Sequence, residues 1–182
     1  MPATASSQRI PSITPASAAG PIAETFKAVQ AKLGVVPNMV QAMASSPAVL
    51  NGYLALSGAL GHGKLSAKVR EQIAIFVAES NGCTYCLSAH TAISAKLGIA
   101  ADAASAARTG RSADPKTAAA LAVAGAALRK RGRLDDADFA AAHGAGLDDA
   151  EIAEVIANVA VNVLTNYFNE AFRTEVDFPL VK

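Results

Sequence analysis

From Pro21 to Phe172 the apolar residues recur at three- and four-residue steps, and nowhere in this stretch do apolar and polar residues alternate as in a half-buried strand. Ile22, Phe26, Val29 and Leu33 make the first stripe, closed by Gly34. Val49, Leu50, Tyr53, Leu54, Leu56 and Leu60 make another before Gly61-His62-Gly63, and Val69, Ile73, Phe76 and Val77 follow Ser66, a suitable N-cap. A helix through Leu121, Val123 and Leu128 starts at Asp114-Pro115, and a long final one runs from Asp148 to about Phe172. Hydrophobic residues make up 52% of the chain, yet aromatic residues are only 5% and tryptophan is absent. An alanine-rich core with few large rings suits closely approaching helices better than a sandwich or barrel. The expected fold is all-α, a multi-helix bundle.

The 182 residues suit one domain with a sizeable core. Residues 1–20 mix Pro, Ser, Ala and Thr without period and read as a flexible N-terminal arm. Residues 21–172 form the helical domain, with a short helix in 101–112 and another from Asp135 to about His143. Residues 173–182 read as an extended C-terminal arm, because Pro179 restricts its neighbour. Leu65-Ser66-Ala67 and Leu147-Asp148-Asp149 open two similar helices, a weak hint of duplication that a shared capping pattern explains equally well. Helix faces such as Val155, Val159 and Val163 exceed what one domain covers, so a homo-oligomer is expected.

The net charge is +1, from 16 basic and 15 acidic residues without a long run of either sign. That lacks the basic footprint of nucleic-acid binding. No uncharged apolar run reaches the roughly 18 residues of a membrane span, and the first residues lack a secretory pattern. A cytoplasmic protein without membrane partners is expected.

Both cysteines lie in one short segment, Cys83-Thr84-Tyr85-Cys86, with His90 following. A CxxC pair can close a small disulfide ring, and a nearby histidine can move the proton that decides thiolate reactivity. At about 100° per helical residue, Cys83, Cys86 and His90 share an arc of about 60°. A helix starting just after Gly82 places both cysteines near its unpaired N–H groups, which favour a thiolate. If the preceding helix packs antiparallel across Asn81-Gly82, Glu71 and His90 both lie roughly 12–15 Å from that turn and meet. Glu79, near the helix end, reads as exposed, and His62 and His143 as surface residues beside glycines. The alternative use of Cys83, Cys86, His90 and Glu71 is a zinc site, although structural zinc sites usually draw ligand pairs from separate knuckles. Covalent haem attachment needs a histidine directly after the CxxC, and Leu87 stands there. No glycine-rich phosphate-binding pattern is present, so no resident cofactor is expected.

Glu71, Cys83, Cys86 and His90, spaced E-x11-C-x2-C-x3-H, resemble the AhpD-like alkylhydroperoxidases of the carboxymuconolactone decarboxylase superfamily. Val36-Pro37-Asn38, Ser46-Pro47-Ala48-Val49-Leu50, Leu65-Ser66-Ala67-Lys68, Asn166-Tyr167-Phe168-Asn169 and Val176-Asp177-Phe178-Pro179 resemble its peroxidase-related subgroup. The resemblance implies a helical protein forming dimers, trimers or hexamers, whose dithiol reduces hydrogen peroxide or an organic hydroperoxide. It implies Cys86 as the peroxidatic thiolate, Cys83 as the resolving thiol that closes a Cys83–Cys86 disulfide, and His90 and Glu71 as the proton relay. An external thiol, dithiol or lipoyl protein would supply the electrons. One departure is Tyr85, where better-known members carry a second histidine; a phenol titrates near pH 10 and does not relay protons at neutrality. Two other readings stay open: a non-enzymatic dithiol sensor, and a lyase or isomerase on a small carboxylic acid using His90 and Glu71.

Overall fold

The computed structural model of the protein describes residues 8–181, which contain nine α-helices and no strand. In order these are α1 (Gly20–Leu33), α2 (Asn38–Met43), α3 (Pro47–Leu60), α4 (Ala67–Ser80), α5 (Thr84–Lys96), α6 (Ala101–Arg108), α7 (Pro115–Lys130), α8 (Asp136–Gly144) and α9 (Asp149–Phe172). The all-α class read from the periodicity is the class observed.

Helix starts follow local chemistry. Ser66 Oγ accepts from the Val69 N–H, and Asp114 accepts from the Thr117 N–H at 2.7 Å. Asp135 with Asp138, and Asp148 with Glu151, form reciprocal capping boxes on α8 and α9. The openings of α4 and α9 therefore differ in detail, a single serine cap against a full box. Each cap satisfies N–H groups that the helix cannot, worth about 1 kcal/mol.

Two helices end without glycine at the left-handed position: Arg131 after α7 (φ 53°) and Arg173 after α9 (φ 52°). For a residue with a Cβ this conformation costs about 1–2 kcal/mol, whereas glycine is unpenalised but loses about 0.4–1 kcal/mol of unfolded-chain freedom. Arg173→Gly should therefore stabilise the protein by about 0.5–1 kcal/mol, read as a higher denaturant midpoint with an unchanged slope. A lower midpoint would mean that the Arg173 side chain contributes more than its backbone strain costs.

Helix α4 lies at the centre, packed against α5, α6, α7 and α9, and it buries Gln72, Ile73, Ala74, Ile75, Val77 and Ala78. Small residues permit this crowding. On α7, Ala120, Ala124, Gly125, Ala126 and Ala127 are buried, and a Cβ on Gly125 would come within 3.3 Å of the Phe76 ring. Val155 and Val159, expected at a subunit interface, are spent inside the chain's own core, and Val163 packs against it. The periodicity marks a buried face without saying what buries it; here α4 and α7 cover α9. Surplus apolar surface lies elsewhere, at Leu33, Val35, Leu164 and Tyr167.

The terminal segments lie along the helices. Of the arm at 1–20, residues 1–7 fall outside the described residues. Beyond them the Arg9 N–H donates to the Phe172 carbonyl at 2.8 Å, and the Ile13 N–H to the Gln41 carbonyl at 3.1 Å. At the other end residues 174–181 form neither helix nor strand. Asp177 accepts from the Asn38 N–H at 2.8 Å, Glu175 accepts from Asn38 Nδ2 at 3.0 Å, and the Val181 N–H donates to Ser88 Oγ at 3.2 Å. Val176, Phe178 and Val181 thereby pack on the core as a strap over α5. No helix among the described residues is long and apolar enough to cross a membrane.

Candidate active site

The turn between α4 and α5 sets the site. Asn81 closes α4, Gly82 turns with φ +66°, and the Cys83 N–H returns to the Ala78 carbonyl at 3.0 Å. A left-handed residue is needed to reverse the chain in so few steps, and glycine adopts it without strain. Asn81 Nδ2 also donates to Asn166 Oδ1 at 2.8 Å, tying this turn to α9.

Cys83 is the N-cap of α5, an unusual role for a thiol, and its sulfur accepts from the Cys86 N–H at 3.2 Å. Cys86 stands three residues on, still in the first turn, where free N–H groups and the helix dipole favour negative charge on sulfur. The two sulfurs are bonded, with the Cα atoms 5.3 Å apart. Both cysteines are buried, at 1% and 3% exposure, and Cys86 is the one that borders a cavity.

The antiparallel packing of α4 on α5 brings Glu71 to His90, as their equal distances from the turn required. Glu71 Oε2 lies 2.8 Å from His90 Nδ1, both side chains being about four-fifths buried. That contact leaves Nε2 as the ring nitrogen open to other partners. The structure therefore gathers all four sequence-derived candidates at one place. Glu79 instead pairs with Arg108 at 2.8 Å on the surface, and His143 pairs with the exposed Asp149. Among the described residues, no group of three or more His, Cys, Asp or Glu side chains is arranged to hold a metal ion.

The cavity, about 300 Å³, is enclosed by parts of α1, α2, α3, α4, α5, α9 and the C-terminal strap. Leu33, Val35, Val40, Leu60, Ile93 and Val161 make it largely apolar, and Lys32, Arg70 and Lys96 also line it. Tyr53 borders it too; burial pushes its phenol above the usual range, a hydrogen bond from Ser57 opposes this, and the Glu71 charge adds to it.

Tyr85 turns its hydroxyl away from proton transfer. The oxygen accepts from the Met39 N–H at 3.2 Å, and the ring meets Phe178 edge-on with centroids 5.7 Å apart. Burial raises its phenol far above the ordinary range, the Met39 contact opposes this, and Asp177 adds to it. Tyr85 thus clamps α2 and the C-terminal strap to the CxxC helix. Because the folded protein holds the phenolic proton more tightly than the unfolded chain, this contribution is full below about pH 10 and is lost as pH rises above it. Tyr85→Phe should cost about 1–3 kcal/mol at neutral pH, by leaving the buried Met39 N–H without a partner. It should also lessen the fall in stability between pH 9 and about pH 11. Denaturation midpoints that match the parent protein at both pH values would exclude the clamp.

Three residues lining the cavity beside Cys86 escaped the sequence reading: Met39, Tyr53 and Asn169. For Asn169 a signal existed. Asn158, Asn162, Thr165 and Asn169 fall on one face of an otherwise apolar helix, and all four border the cavity. Asn158 and Asn162 direct Nδ2 back to the carbonyls of Glu154 and Asn158, each at 2.8 Å.

Known proteins share this fold. Residues 47–129, from α3 into α7 and including all four candidate residues, match the carboxymuconolactone decarboxylase family. An AhpD-core, peroxidase-related protein from Ralstonia eutropha JMP134 is 24% identical, with a TM-score of 0.86 over 96% of this chain and 94% of that one. A peroxidase-related protein from Silicibacter sp. TM1040 is 25% identical, with a TM-score of 0.79 over 94% and 95%. The debrominase Bmp8, solved with 2,3,4-tribromopyrrole, shares the fold at 22% identity and a TM-score of 0.72 over 85% and 84%. No curated protein matches the sequence. Residues 47–129 thus carry the carboxymuconolactone decarboxylase family pattern, within a chain that has the AhpD-like fold.

Proposed function

We propose that the protein is a thiol-dependent peroxidase that reduces organic hydroperoxides through the Cys83–Cys86 pair. The observation that carries this reading is a bonded cysteine pair bordering a cavity beside a Glu71–His90 contact of 2.8 Å. In the reduced protein the Cys86 thiolate attacks the distal oxygen of the hydroperoxide. The O–O bond breaks, Cys86 becomes a sulfenic acid, and the alkoxide leaves with a proton delivered from His90. The Cys83 thiol then attacks the Cys86 sulfur, expelling water and closing the disulfide. An external dithiol, of which a lipoyl group is one form, restores both thiols by exchange. Glu71 orients His90 for the proton transfer.

The apolar walls favour a hydroperoxide with a hydrocarbon body over hydrogen peroxide itself. Exposed Leu33 and Val35 beside the cavity suit burial against a second subunit, so the working form is a homo-oligomer. Sedimentation showing only an 18.4 kDa species would reject that part.

The test is consumption of cumene hydroperoxide and of hydrogen peroxide with excess dihydrolipoamide. Catalytic turnover, faster with the organic substrate, is expected. Stoichiometric disulfide formation without turnover would instead mark a dithiol sensor. Turnover of a brominated pyrrole in place of peroxide would assign the dithiol to dehalogenation.

A further inference from the structure

Asn169 occupies a position on α9 that the relay does not use. Its side chain is buried at 2% exposure, and Nδ2 lies 3.3 Å from both Cys86 Sγ and Met39 Sδ. Its Oδ1 is buried without a hydrogen-bond partner. The neighbours dictate this orientation, because turning the amide over would aim carbonyl lone pairs at two sulfurs and leave both amide hydrogens unused. A leucine of similar size would fill the site without an orphaned oxygen, so packing alone does not account for an amide here.

A disulfide sulfur is a weak acceptor and a thiolate is a strong one. The Asn169 N–H therefore gains strength when the disulfide opens and Cys86 loses its proton. We propose that Asn169 stabilises the Cys86 thiolate and so sets the fraction of enzyme able to attack. Met39 fixes the amide plane, and Tyr85 holds Met39 by its backbone N–H. The residue standing between the cysteines thus supports Cys86 acidity by this route, where a histidine would relay protons. The other ionisable groups around Cys86 come from several elements. They are His90, Lys96 and Tyr85 on α5, Glu71 and Arg70 on α4, Tyr53 on α3 and Lys32 on α1, with Asp177 of the strap acting on Tyr85, while α9 faces the cavity with amides and a hydroxyl.

This proposal rests on Cys86 as the attacking thiol in the peroxidase reading, but its test does not need peroxide turnover. The full-length reduced protein is alkylated with iodoacetamide across pH 5–10, and each cysteine is followed by peptide mass spectrometry. Asn169→Leu should raise the Cys86 midpoint by about one pH unit, a tenfold loss of thiolate below it. Asn169→Asp should raise it further, since a carboxylate beside the sulfur opposes negative charge. An unchanged Cys86 midpoint in both folded variants would overturn the proposal. Should either variant fail to fold, the wild-type protein decides. The Asn169 side-chain amide protons, followed by NMR in the reduced state, should shift with the same midpoint as Cys86 alkylation. Amide resonances indifferent to that titration would equally overturn it.

Discussion

Cys86→Ser should abolish hydroperoxide turnover, lowering kcat by on the order of 10⁴-fold or more, as loss of a covalent nucleophile does. An unactivated serine hydroxyl does not ionise near neutral pH, and its oxygen does not attack a peroxide as a thiolate does. The fold should survive, because the replacement removes little volume and the amide of Asn169 can donate to oxygen as it does to sulfur. The measurement is dihydrolipoamide oxidation driven by cumene hydroperoxide, with helical content followed by circular dichroism. Cys83→Ser should behave differently, with one sulfenic acid formed per chain and no further turnover until an external thiol resolves it. If Cys86→Ser kept full activity on some carboxylic acid, the reaction would belong to His90 and Glu71 alone, as a lyase or isomerase.

His90→Ala should lower kcat by about 10²–10⁴-fold, the usual share of a positioned proton donor or acceptor. Hydroperoxide cleavage generates an alkoxide in a largely apolar cavity, where a charge without a proton source is costly. Glu71→Gln should lower kcat less, because the ring remains and only its orientation and electrostatic support are weakened. The two effects should not add. With His90 gone, Glu71 has nothing to orient, so the double variant should resemble His90→Ala. Full additivity would show that Glu71 and His90 act independently, contrary to the 2.8 Å contact between them.

Much of the fold was legible because helix signals are local. Asp114-Pro115, Asp135 and Asp148 are capping residues that act within three positions, and each opens a helix in the structure. The cysteine pair and His90 share one helix, so their common face follows from backbone geometry alone. Even the Glu71–His90 meeting was within reach, because a short turn joins two helices and equal arm lengths bring equal heights together.

The valine row of α9 shows where such reading stops. Periodicity told that Val155 and Val159 face something apolar, but it could not say whether a neighbouring helix or a second chain covers them. Tyr85 raised the same difficulty. Its place between the cysteines invites comparison with a histidine, while its work is to hold the Met39 N–H and the Phe178 ring, 46 and 93 residues away in sequence.

Helix placement, the all-α class and the pairing of thiols with an imidazole are matters of spacing along one chain segment, where a few torsion angles settle the geometry. The cavity, the burial of Cys83 behind Cys86, and the Asn169 contact to sulfur depend on how α9 and the C-terminal strap close over α5. That closure sums many weak apolar contacts between residues distant in sequence, and no local pattern encodes which faces will meet.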